Sequence, residues 1–172
     1  MTEREKSELA KREKTKRNML LVRRHYERLL TEYEAATNSR GMAAAWGRVG
    51  GLGNRIARPT QDRAMCAIAL EERRKQLKGW FECIRGTYSR LSGREGKSPN
   101  LWRHQQLLAR ALQLYVFEQA DCEMITMMMS GARRLSRQYV NRILNEAVNE
   151  VMADAGRAGL LEDDEAAGNE AG

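Results

Sequence analysis

Between Leu107 and Val151 the apolar residues fall into three short sets that repeat at intervals of three and four, a spacing that suits one backbone, the α-helix. Leu108, Leu112, Tyr115 and Val116 make the first stripe. Met124, Ile125, Met128 and Met129 make the second, behind Asp121, whose carboxylate can accept from the free amides of a first turn. Val140, Ile143, Leu144, Ala147, Val148 and Val151 make the third, with Ser136 as its cap. Ser130-Gly131 ends the second set, and the basic run Ala132-Arg133-Arg134-Leu135 leads to the third. Helix, short helix, turn and long helix in this order outline a helix-turn-helix.

The outer face of the last helix is polar and cationic. Arg137, Gln138, Asn141, Arg142 and Asn145 are side chains that can donate to guanine, adenine or phosphate from a helix in the major groove, and no acid joins them before Glu146. Arg133, Arg134 and Ser136 extend the set at its amino-terminal end. An amphipathic helix in an ordinary bundle would also show one apolar and one polar face, so both alternatives stand at this point.

The pattern LQLYVFEQADCEMI followed by LSRQYVNRILNEA resembles region 4 of bacterial sigma factors, through Leu114, Tyr115, Glu123, Ile125, Leu135, Ser136, Val140, Arg142, Leu144 and Ala147. The turn Ser130 to Arg134 is longer than in that family. Arg58-Pro59, the run Asp62 to Ile68 (DRAMCAI) and Tyr115-Val116 resemble the phage antitermination protein Q group of the phage 21 type, over about Ile56 to Met152. That resemblance implies a phage transcription regulator, a late-gene antiterminator that binds double-stranded DNA and modifies bacterial RNA polymerase in the cytoplasm of a bacterial host. A DNA-packaging module of the small-terminase kind, assembled as a homo-oligomer, and a non-catalytic helical adaptor are the alternatives.

Two prolines in 172 residues, and an abundance of Ala, Leu, Met, Glu and Arg, point to an all-α fold throughout: a small helical bundle with a carboxy-terminal helix-turn-helix. The formal charge of +7 conceals an asymmetry. Glu162 to Gly172 carries five acids and no base, leaving 30 bases against 18 acids in residues 1–161, a net of +12 that favours a polyanionic partner. Residues 156–172 read as a frayed helix end and a disordered acidic tail, and residues 1–17, with seven bases and four acids, as a disordered basic arm or frayed helix able to hold phosphates.

Between these ends, residues 18–91 read as a helical region. Met19, Val22, Tyr26, Leu29, Leu30 and Tyr33 form one stripe on a helix from Asn18 to Ala36. Residues 41–58 are glycine-rich, with five glycines from Gly41 to Gly53; they lack the Gly-Lys-Ser/Thr close of a phosphate loop, and Arg48, Arg55 and Arg58 are candidate nucleic-acid or polymerase contacts. Thr60 can cap a helix with Ala64, Met65, Ile68 and Leu77 inward and Arg63, Arg73, Arg74 and Lys75 outward. Gly79 predicts a break before a second helix carrying Trp80, Phe81, Ile84, Tyr88 and Leu91. Residues 92–100 read as a linker to the DNA-binding module, residues 101–155.

Cys66, Cys83 and Cys122 are far apart and in helical contexts, which suits reduced thiols in a cytosol. With His25 and His104 they make no metal-binding spacing, and no nucleophile-base constellation is evident, so neither metal, cofactor nor catalysis is expected. No apolar run has the length of a membrane span.

Overall fold

The structure is a computed structural model that describes residues 2–38, 61–130 and 135–162, with no side-chain placement at 36–38 and 61–67. Arg48, Arg55 and Arg58, the glycine-rich segment, Thr60, Arg133, Arg134 and the acidic run from Asp163 lie outside the described residues. All regular structure among the described residues is helical.

The helices are α1 (Glu3–Arg24), α2 (Tyr26–Asn38), α3 (Gln61–Ser92), α4 (Pro99–Leu112), α5 (Cys122–Ser130) and α6 (Arg137–Arg157), with a π-helical turn over Gln113–Phe117 continuing α4. No described helix is long and apolar enough to cross a membrane.

Of the two alternatives for the basic arm, helix and disorder, the structure has the helix, α1. Thr2 and Glu5 form a reciprocal capping box, which satisfies two amides that would otherwise have no partner. Thr15, Met19 and Val22 are then buried in one stripe, and the Thr15 hydroxyl donates to the Lys11 carbonyl at 2.8 Å. A polar residue completes the stripe because its own helix satisfies its hydroxyl. The helix breaks at His25, so the expected Asn18–Ala36 helix is divided between α1 and α2.

Helix α3 is continuous through Gly79, correcting the predicted break. A single glycine costs a helix only about 1 kcal/mol. Here Gly79 also meets the Leu160 side chain, and a Cβ on it would stand 3.1 Å from that side chain. At 32 residues, roughly 48 Å long, α3 exceeds the core it serves. Ile68, expected inward, is 58 % exposed and Leu70 67 %, and among the α3 side chains that are described Leu77 is the first to pack on the core.

That core is shared. Met19, Val22 and Leu29 pack with Trp80, Phe81 and Ile84 of α3, Leu112 and Val116 of the α4 segment, and Val148, Val151 and Ala155 of α6. Residues on both sides of the 92–100 linker therefore meet in one apolar centre. The linker is itself tied down: Lys97 Nζ donates to the Arg90 and Leu91 carbonyls, and Gln106 Nε2 to the Ser92 carbonyl, at 2.5, 3.3 and 2.7 Å. Beyond α6, Leu160 and Leu161 fold back onto the core, while Glu162, the one acid of the tail that is described, is exposed.

A polar clasp fixes α6 against α3. Buried Thr87 donates to Asp154 Oδ2 at 2.8 Å, Arg90 reaches the same oxygen at 2.9 Å and Glu150 at 2.7 Å, and Arg157 also pairs with Asp154. Burial alone would lower the Arg90 pKa; its hydrogen bonds to Glu150 and Asp154 outweigh that and raise it. Asp154→Ala should cost about 1–3 kcal/mol, because the Thr87 hydroxyl loses its inter-helix acceptor and Arg90 keeps only Glu150. Urea denaturation checks this; an unchanged midpoint would mean that the clasp adds nothing. A lighter tie holds α2 to α3, where a hydrogen bond from Arg74 keeps the Glu32 carboxyl below its ordinary range.

Candidate nucleic-acid interface

The α5–α6 segment follows the sequence expectation at both caps. Asp121 Oδ1 accepts from the Met124 amide at 2.8 Å, and Ser136 Oγ from the Tyr139 amide at 3.1 Å. Ser130 Oγ accepts from the Leu135 amide at 3.1 Å across the connection between the helices. Ile125 and Val140 are fully buried together with Leu114 and Ala120, which seats α5 across the start of α6. Ile143 and Ala147 pack on Leu91 and α4. Before α5 the chain turns through Gln119, whose φ of 54° is left-handed, and Arg23 of α1 donates to the Gln119 carbonyl at 2.6 Å while lying 4.8 Å from the Tyr115 ring.

One expected inward face is corrected. Met124 and Met128 are 51 % and 47 % exposed, and only Ile125 is buried on α5, with Met129 half-buried. A nine-residue helix lying across α6 offers it a single narrow stripe, and Ile125 and Met129 at i and i+4 occupy it.

Arg137, Gln138, Asn141 and Arg142 are exposed on the first two turns of α6, and Ser136 is exposed at the cap. They form one outward surface. Arg137 stands 4.0 Å from Glu123 of α5, and Arg142 3.6 Å from Glu146 while its guanidinium lies 5.2 Å from the Tyr139 ring. Both arginine side chains are 67 % exposed, so these pairs are screened surface contacts that a stronger anion can displace. Glu123 is the acid that sequence reading missed, because it arrives from the neighbouring helix. Glu146 is turned toward His104 of α4, at 3.1 Å, as well as toward Arg142. The amino-terminal end of α6 adds free amides and a positive dipole end to this surface.

Asn145 is placed differently from the other four. It is half-buried and lines a groove of about 350 Å³ between α6 and α1, with Lys16 on the α1 wall, Asn141 beside it, and Met19, Leu144 and Val148 among the floor. Lys16 is the cation that the sequence did not attach to this surface, and only the docking of α1 brings it there.

Cys122 Sγ donates to Asn141 Oδ1 at 3.0 Å, placing one thiol at the edge of the same surface. Cys83 lies under the α3–α6 clasp, where burial first, and then the Asp154 charge, push its thiol pKa up. At mildly alkaline pH iodoacetamide should therefore modify Cys83 more slowly than Cys122, since the thiolate is the nucleophile. Site-resolved mass spectrometry gives the two rates; equal rates would contradict the burial of Cys83.

The fold is thus an all-helical bundle with a cationic and amide-rich helix face on its surface. No family model matches the chain, and no curated protein or solved structure matches it at a significant level.

Proposed function

We propose that the chain is a phage transcription regulator in which α5 and α6 act as a DNA-binding helix-turn-helix, and that its output is late-gene antitermination through bacterial RNA polymerase. The observation that carries DNA binding is the outward display of Arg137, Gln138, Asn141 and Arg142 on the first two turns of a Ser136-capped helix held from behind by α5. Base-reading helices contact bases mainly through their amino-terminal turns, and these residue types match guanine and adenine edges. Antitermination rests on the resemblance of the Tyr115-Val116 and Asp62–Ile68 runs to the phage 21 type antitermination proteins.

A run-off transcription assay with a terminator downstream of a promoter-proximal binding site tests the whole proposal. Readthrough should rise with the full chain and only on templates that carry the site. DNA binding without any gain in readthrough would reject antitermination and leave packaging or another DNA-binding role.

A further inference from the structure

We infer that the groove between α1 and α6 seats the sugar-phosphate backbone of one DNA strand, with Lys16 as its phosphate contact and Asn145 as a backbone rather than a base contact. This rests on the DNA-binding reading of α6 and adds a second element to it.

The two walls differ in chemistry. On the α1 wall, Lys16 and Leu20 are one helical turn apart, on the flank of the helix next to the buried Thr15, Met19 and Val22 stripe. Lys16 is exposed, and no ion pair engages it among the described residues. On the α6 wall, Asn141 and Asn145 offer amide donors. Met19, Leu144 and Val148 provide an apolar floor, and among the described residues no carboxylate lines the groove. A cation and amides over an apolar floor, with no acid to repel an anion, suit a phosphate joined to a deoxyribose.

Position supports the same occupant. Asn141 belongs both to the outward surface of α6 and to the groove, so the two surfaces are continuous. A duplex that admits the first turns of α6 into its major groove must lay an adjacent backbone along one flank of that helix, and α1 occupies a flank. The acids of α1 fall mainly in its first two turns, at Glu3, Glu5 and Glu8, whereas Lys11 to Arg17 holds five bases and one acid. Lys16, one of these bases, lines the groove where α1 meets α6.

The test uses the full chain with two short duplexes, one enriched from a random-sequence pool by the chain itself and one scrambled. Affinity is followed by fluorescence anisotropy across a salt series. Lys16→Gln should make the slope of log affinity against log salt shallower by about 0.9, one phosphate contact, and should weaken both duplexes by a similar factor. Lys16→Arg should retain the wild-type slope. If Lys16→Gln leaves slope and affinities unchanged while alanine at Arg137 and Arg142 abolishes the preference for the enriched duplex, the groove assignment is overturned and α6 remains the reader. If the wild-type chain binds neither duplex at low salt, both fall together.

Discussion

Alanine at both Arg137 and Arg142 is expected to erase discrimination between a cognate and a scrambled duplex while leaving the fold intact. A bidentate arginine-guanine contact contributes about 1–3 kcal/mol of discrimination, so the pair should cost roughly 30-fold or more in the affinity ratio. Their present partners, Glu123 and Glu146, are held across exposed surface pairs, so loss of those pairs should shift stability by no more than about 1 kcal/mol. Anisotropy measures the first effect and urea denaturation the second. A double variant that unfolds would place these arginines in the scaffold, and one that discriminates as well as wild type would remove them from base reading.

The largest loss of stability is expected at Phe81. Its side chain is 1 % exposed, and its ring centroid lies 5.9 Å from that of Tyr26 and 5.8 Å from that of Tyr33, so two aromatic contacts between α2 and α3 depend on it. Phe81→Ala should cost about 3–5 kcal/mol through lost burial and the cavity left behind. Total stabilities of such domains run to about 5–15 kcal/mol, so the loss would be between about a fifth and the whole of the total. Met127→Gln on α5, where the side chain is 78 % exposed, should stay within about 0.5 kcal/mol of wild type. A denaturation experiment that ranked the two the other way would contradict the core described above.

Helical periodicity made most of this bundle legible in advance. Leu108, Leu112 and Val116, then Val140, Ile143, Ala147, Val148 and Val151, are buried as their spacing requires, and the caps at Asp121 and Ser136 are where short oxygen-bearing side chains precede apolar runs. The departures share a cause: local pattern does not say which helix lies against which. Thr15 looked like part of a solvated basic run, yet it is buried, with its hydroxyl satisfied within its own helix. Met124, Met128 and Ile68 looked inward, but α5 and the first half of α3 have no neighbour over those faces among the described residues. Gly79 looked like a break and is instead a close-packing point against Leu160.

The candidate interface was legible to the same extent. Arg137, Gln138, Asn141 and Arg142 share one side of a helix at 100° per residue, and the structure keeps them there. The relation of Asn145 to Lys16, and of Arg137 to Glu123, joins residues 129 and 14 positions apart and depends on packing between helices.

Nuclear magnetic resonance of the full chain, titrated with the enriched duplex, tests base reading by α6 most directly. Amide shifts should change most from Arg137 to Asn145, with a second set at Lys11 to Arg17 on α1 and little change along α2. Perturbations confined to other helices, with α6 unmoved at saturating DNA, would contradict it.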